Sequence, residues 1–290
     1  MKVIVRPPGE AFRHALSEHP DRDTIDLALA AEQHAAFVAE LRAAGVTLVE
    51  LPADDQLADA CFVSDVLITL PAAAAASAAG RVGARAADGA TGAAGPAVLA
   101  VATHPGAPSR RTEVAAVVAA ARGLVAPACT VTAIAAPGTL EGGDVIVYGD
   151  RVAIGLSGRT DRRGAEQLAG LVRRAGYRPY LCPVEGHLHL ASWVSVVRPD
   201  LLIGVAGGFA SLDATGPDVA PQGEIARIVL PDDEVVAANV LPLGGRVFVA
   251  AGNPRAAAAL RAAGEKVVEA DLSEFTKADG GPTCLISHVF

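Results

Sequence analysis

Leu171-Val172-Arg173-Arg174-Ala175-Gly176, followed at once by Tyr177-Arg178-Pro179-Tyr180-Leu181, reads as the end of a helix, a glycine cap and the strand it feeds. Arginines suit the negative end of the helix dipole, and glycine accepts the left-handed conformation that closes a last turn. The same cassette stands at Thr24 to Ala44, where Leu27, Phe37 and Leu41 recur with alanines at helical spacing ahead of Gly45 and the strand Val46 to Leu51. It returns as Leu260-Arg261-Ala262-Ala263-Gly264 before Lys266-Val267-Val268, and in a looser copy as Val114 to Gly123 leading into Leu124-Val125. Helix, glycine cap and strand repeat about four times, the mark of an α/β protein assembled from similar units.

A cationic helix end with a glycine cap is common to many α/β proteins, so the repeat alone does not fix the architecture. The residues beyond each copy narrow it. Between 13 and 20 residues after each cap glycine stands a polar residue in an apolar or glycine-rich setting: Asp65, Glu141, His189 and Cys284. An acid, an acid, an imidazole and a thiol at matching points of four units converge if the units surround a pseudo-symmetry axis.

Composition bounds the rest. At 290 residues with 51% hydrophobic and 19% charged, and a mean hydropathy of +0.37, the chain is too apolar to be disordered. A net charge of -8 argues against nucleic acid and anionic membrane, which need clustered Lys and Arg. The start, Met1 to Pro8, lacks the apolar core of a signal peptide, and no stretch carries about 20 bulky apolar residues free of charge. The expectation is a cytoplasmic protein with no membrane span. One segment, Ala72 to Gly95, is nearly all Ala and Gly with Arg81, Arg85 and Asp88. Without a periodic apolar face, it reads as a surface insertion in a single domain of residues 1–290.

Four cysteines, Cys61, Cys129, Cys182 and Cys284, lie far apart with no C-x-x-C pair, so neither a structural zinc site nor a disulfide framework is signalled. Cys284 follows the turn-forming Asp279-Gly280-Gly281-Pro282-Thr283, which places its thiol at the mouth of a strand, Leu285-Ile286-Ser287. On residue type alone it is either a small buried hydrophobe or a nucleophile. Period-two alternation puts His187 and His189 on one face of a strand. Metal ligation and service as base to a thiol both have to be weighed there; carboxylate or cysteine ligands at metal-site spacing are missing nearby. Glu141 precedes Gly142-Gly143-Asp144, and Asp65 interrupts the apolar run Cys61 to Ile68; a carboxylate in such a run has a partner or a task. Arg110, Arg111 and Arg159 either fork onto a carboxylate or are solvated surface.

Taken together, these motifs resemble the dimethylarginine dimethylaminohydrolases of the guanidino-group modifying (pentein) superfamily. The likeness spans nearly the whole chain outside the insertion. It is carried by His14-Ala15-Leu16, Ala31-Glu32-Gln33-His34, Val49 to Asp54, Phe62-Val63-Ser64-Asp65 and Pro105 to Val114. It continues through Leu140 to Asp144, Gly155 to Thr160, Arg163-Gly164-Ala165-Glu166, His189-Leu190 and Thr283-Cys284. The resemblance implies a five-bladed pseudo-symmetric α/β propeller of ββαβ units. It implies Cys284 as nucleophile, His189 as acid/base, Glu141 as the carboxylate that orients the histidine, and Asp65 as the grip on a guanidinium. Arg110 and Arg159 match clamps on an amino-acid carboxylate, Asp59 and the Ala278 carbonyl the region that receives an α-amine, and Leu16 a lid. The implied reaction is hydrolysis of Nω-methylated arginine to citrulline through a covalent thiouronium, with no metal or organic cofactor. The implied ligand is a small guanidino amino acid, and a monomer or homodimer is expected.

Two positions bear on the substrate. Arginine deiminases and amidinotransferases of the superfamily carry an acid two residues after the catalytic histidine, where this chain has Ala191; this favours a methylated guanidinium. The dimethylaminohydrolases usually carry an acid just before the gripping aspartate, and this chain has Ser64. On that account Ser64 is a candidate substrate contact. A hydrolase, deiminase or amidinotransferase for another guanidino or amidino compound, and a non-catalytic ligand-binding pentein, are the alternative readings.

Overall fold

The chain enters its first unit with strand β1 (Lys2–Val5), helix α1 (Leu27–Ala43) and strand β2 (Thr47–Glu50), which pairs parallel to β1. The computed structural model describes residues 2–71, 98–124, 131–214 and 225–289. Asp26 starts α1 as a helix cap, its carboxylate accepting the Ala28 and Leu29 N–H groups. Four more units then repeat one order. They are β3 (Leu67–Pro71), β4 (Val98–Ala102), α2 (Val114–Arg122) and β5 (Val131–Ala133); then β6 (Val145–Tyr148), β7 (Arg151–Leu156), α3 (Arg162–Arg174) and β8 (Arg178–Pro183). The next two are β9 (Val194–Arg198), β10 (Leu201–Val205), α4 (Ala206–Asp213) and β11 (Ala226–Leu230); then β12 (Leu241–Leu243), β13 (Arg246–Ala250), α5 (Pro254–Ala262) and β14 (Val267–Ala270). After the single turn α6 (Ser273–Thr276), β15 (Ser287–Val289) returns to pair antiparallel with β1 and completes the first sheet.

The result is five three-stranded sheets, each with an antiparallel pair and a third strand parallel to the middle one, reached through a helix. This is the five-bladed ββαβ propeller. The sequence showed four units because it was read through glycine caps. Gly45, Gly176 and Gly264 adopt φ of +76°, +92° and +90°, the left-handed closure the cassette calls for. Gly123 instead keeps φ near -76°. The strand expected at Leu124-Val125 also differs: Leu124 lies in a turn, and the next described strand is β5. In the unit of β9 to β11, helix α4 ends at Asp213 with Ala214 as its cap residue and Thr215 next in sequence, so no glycine stands where the pattern looks for one.

Burial on both faces explains the near-continuous apolar runs of the middle strands. Val152 and Ile154 of β7 pack with Ala165, Leu168, Ala169 and Val172 of α3, whereas Ala153 between them faces a second core with Leu190, Leu202 and Phe209 from the neighbouring unit. β1 divides likewise, Val3 and Val5 toward Phe37 and Phe248, Ile4 toward Val63 and Val117. Each sheet is therefore clamped between its own helix and the next unit. The Ala72 to Gly95 insertion falls outside the described residues. Its flanks are paired directly, Pro71 opposite Val98. No helix among the described residues is long and apolar enough to cross a membrane.

In every unit, the chain turns into the first strand of the sheet through a short irregular segment. Asp65 stands two residues before β3, Glu141 four before β6, His189 five before β9, Asn239 two before β12 and Cys284 three before β15. Five similar turns around a ring bring Asp65, Glu141, His189 and Cys284 to one inner cavity, with Asn239 on an outer cleft beside Cys284.

Candidate active site

Cys284, His189, Glu141 and Asp65 line one inner cavity with Arg110, Arg159, Asp59, Leu16 and the Ala278 to Gly280 segment. Its volume of about 20 Å³ is room for a single water. Leu16, Arg159, Leu188, Asp279 and Gly280 also line an outer cleft of about 890 Å³. Leu16, 38% exposed, sits where the two meet, and its N–H donates to Asp59 at 3.1 Å.

Glu141, fully buried, has Oε2 2.9 Å from His189 Nε2, and its Oε1 accepts the Ala107 N–H at 3.3 Å. Asp65 accepts the Gly143 N–H at 2.9 Å on one oxygen and Arg110 Nη1 at 2.7 Å on the other. The two glycines between Glu141 and Asp144 are there for space. A Cβ on Gly142 would lie 2.1 Å from the Ser64 carbonyl oxygen, and one on Gly143 would lie 2.7 Å from the His189 ring and 3.0 Å from Asp65 Oδ1. Asp144 completes the motif by accepting Ser157 Oγ and Thr160 Oγ1, each at 2.6 Å, and the Leu190 N–H at 3.0 Å. It thereby anchors the turn that carries His189, a role the sequence reading did not give it.

These contacts set the protonation states. Burial alone would discharge the His189 ring, but Asp65, the hydrogen bond to Glu141 and the field of Asp144 outweigh it and raise its pKa to about 9. His189 is therefore an imidazolium at neutral pH. Cys284 is pushed up to about 11 by burial and by Asp65, against the opposing pull of the Gly281 N–H, 3.4 Å from Sγ, Thr283 and Arg110. Asp59 is also raised, by burial. Cys61 and Cys182 are deeply buried thiols, both raised by burial, Cys182 to about 12. They fit the small-hydrophobe reading; Cys129 lies outside the described residues.

Several expectations from the sequence change in three dimensions. His187 and His189 do not share a strand face, because residues 186–188 form a bend, with Gly186 at φ +79°. His187 packs edge-on against Trp193 at 4.3 Å and lines only the outer cleft, its pKa lowered to about 4 by burial. The strand expected at Leu285 begins at Ser287. Ser64 is absent from the lining of both cavities; its neighbour Asp65 takes the inward position in a 3-10 turn (Val63–Asp65). Arg110, expected to present a free fork to a carboxylate, is 4% exposed and already engaged. Its Nη1 holds Asp65 and stands 3.5 Å from Glu141, while Nε and Nη2 bind Glu113 and the Asp59 and Phe62 carbonyls. Arg159 is less committed, with one contact of 3.7 Å to Glu141 and 20% of its side chain exposed. Arg111 is exposed and donates to the Pro105 carbonyl.

Asp65, Glu141 and His189 bring one ligand atom each within 4.8 Å of one another, a spacing that could close on a cation. Arg110 supplies positive charge against both carboxylates there. Asn239 is the residue of these five turns that the sequence did not flag. It stands in Val235-Val236-Ala237-Ala238-Asn239-Val240-Leu241, a polar residue in an apolar run just ahead of a strand, the same signal that marked Asp65.

The chain is 33% identical over 98% of its length to a dimethylarginine dimethylaminohydrolase of Streptomyces coelicolor, of which it covers 95%. It belongs to the dimethylarginine dimethylaminohydrolase family. The Pseudomonas aeruginosa enzyme of the same name is 29% identical, with 94% of this chain and 98% of that one covered. A solved Pseudomonas dimethylarginine dimethylaminohydrolase, a Cys-to-Ser variant with citrulline, superposes with a TM-score of 0.77 at 27% identity, covering 98% of this chain and 97% of that one. The N-terminal domain of a cyanobacterial arginine dihydrolase shares the fold at TM-score 0.76 and 15% identity, covering 99% and 97%. An arginine deiminase family model matches residues 126–178.

Proposed function

We propose that the protein hydrolyses Nω-methylated arginine to citrulline and methylamine or dimethylamine, with Cys284 as nucleophile and His189 as acid/base. The observation that carries this reading is the meeting of a thiol, an imidazole and two carboxylates at one buried cavity, with Glu141 2.9 Å from His189. A guanidinium carbon is a poor electrophile until its charge is held and its leaving amine is protonated. Asp65 and Glu141 supply the negative field that holds a guanidinium. That cation in turn lies beside Sγ and favours the thiolate, which in the free protein is held back by burial.

Attack of the Cys284 thiolate on the guanidinium carbon forms a carbon–sulfur bond, and His189 gives its proton to the substituted nitrogen. The carbon–nitrogen bond breaks and the amine departs, leaving a cationic thiouronium on Cys284. Water attacks this carbon as neutral His189 accepts a proton from it, and the collapse of the adduct releases thiolate and citrulline. The remaining proton leaves on the amine, so the sum is guanidinium plus water giving urea and ammonium ion. Arg159, which lines both cavities, is placed for the substrate carboxylate, with Asp59 and the Ala278 carbonyl toward the amine and Leu16 over the entrance. Arg110 serves from within, keeping Asp65 charged and in position. Ala191, where deiminases carry an acid, favours a methylated guanidinium over the plain one.

Citrulline release measured with asymmetric dimethylarginine, monomethylarginine, arginine and a panel of guanidines tests the reading. Turnover of the methylated substrates is expected, with none in Cys284→Ser although calorimetry still detects binding. Persistent turnover in Cys284→Ser, or arginine processed faster than its methylated forms, overturns it.

A further inference from the structure

The ring contributes one polar residue per unit, and four of the five carry roles in the proposed reaction; the fifth, Asn239, does not. It is 6% exposed. Its Oδ1 accepts the Thr283 N–H at 3.0 Å, and because a backbone N–H can only donate, this contact fixes which end of the amide is which. The Nδ2 end then points at Thr283 Oγ1 at 2.8 Å, the Ala191 carbonyl at 3.4 Å and Cys284 Sγ at 3.8 Å. One amide thus ties the turn after His189 to the turn that holds the thiol. Gly281 makes room for it, since a Cβ there would lie 2.6 Å from Asn239 Cγ.

Resting on the proposed function of this site, we propose that Asn239 is a positioning residue, whose amide holds the sulfur of Cys284 toward His189 and donates to it as charge develops there. A neutral donor is what the place requires. Asp65 and Arg110 already act on the sulfur with opposite signs, and Glu141, His189 and Arg159 share the cavity, with Asp59 and Asp279 at its edge. A carboxylate at position 239 would add repulsion against the thiolate and against the Ala191 carbonyl, while an apolar residue would remove the donor from Sγ.

Asn239→Asp is nearly isosteric and leaves every one of those charged groups in place. The rate of Cys284 alkylation by iodoacetamide, followed against pH by mass spectrometry of the modified peptide, reads the thiol directly and without substrate. Asn239→Asp should move the alkylation midpoint up by about one pH unit or more, so that the thiolate fraction near pH 8 falls about tenfold. Its kcat for methylarginine should fall at least about tenfold while KM changes less than about threefold. Asn239→Ala, which adds no charge, should move the midpoint in the same direction by less, and serves if the Asp variant does not fold. A structural role alone would lower the melting temperature and leave the midpoint of the folded protein where it is. Identical alkylation profiles in parent and variants, or a loss confined to KM, overturn the role of Asn239. Absence of labelling at Cys284 in the parent, with Cys61 or Cys182 modified instead, overturns the functional reading itself.

Discussion

Replacing Glu141 with Gln removes one charge and one acceptor oxygen while keeping the side chain's size. The Gln side chain can keep its carbonyl oxygen for His189 Nε2 across the same 2.9 Å, while its amide nitrogen, which only donates, gives up the Ala107 N–H that Glu141 accepts at 3.3 Å. What changes is the field on the imidazole. His189 is raised from 6.5 to about 9 in spite of burial, with Asp65 first, then the hydrogen bond to Glu141, Asp144 and the Glu141 charge acting in its favour. That displacement corresponds to about 3 kcal/mol in favour of the imidazolium. Removing Glu141's share while the burial cost stays should bring the pKa of His189 down by at least about one pH unit. The acid that protonates the leaving amine then titrates away earlier. The alkaline limb of kcat/KM, expected near pH 9 in the parent, should move toward pH 8 or below, and kcat near neutral pH should fall by about 10². The same group sets the sign for stability. A raised folded pKa adds stability that is fully present below about 6.5 and is lost as pH rises through about 9. The parent should therefore lose melting temperature across that window, and Glu141→Gln should lose less. A Glu141→Gln variant whose alkaline limb coincides with the parent's would refute the claim that Glu141 sets the charge of His189.

Gly143→Ala puts a Cβ 2.7 Å from the His189 ring and 3.0 Å from Asp65 Oδ1. Turnover should fall at least about 10²-fold, read by citrulline release; near-normal activity would mean that the ring tolerates displacement. Deleting residues 72–95 and bridging with a short Gly-Ser linker should leave activity and melting temperature nearly unchanged, because the flanks Pro71 and Val98 already pair. A drop of more than a few degrees in a thermal scan would show that the insertion packs or assembles. Ser64→Glu should leave KM for dimethylarginine, monomethylarginine and arginine within about twofold of the parent, since Ser64 lines neither cavity. A selective change for one of the three would place the side chain in the site after all.

The cassette of helix, glycine and strand was legible because its causes are local. A left-handed cap needs glycine whatever surrounds it, and Gly45, Gly176 and Gly264 have that conformation. Asp65, Glu141, His189 and Cys284 stood out because a polar residue in an apolar or glycine-rich turn needs a partner, and the ring supplies partners by bringing the turns to one centre. Local rules end there. The unit of β9 to β11 lacks the cap, so Asn239 carried no positional mark, although its setting matched that of Asp65. Whether an arginine is a free clamp or an internal counterion depends on which carboxylates close around it, and Arg110 meets Asp65 and Glu113 while Arg159 stays near the entrance. Ser64 and His187 are each one or two residues from a site residue, yet a 3-10 turn and a bend send them elsewhere. Chain-local chemistry chose the residue types; the packing of five units decided which faced one another, because distance and burial, which set charge and reactivity, exist only once the ring has closed.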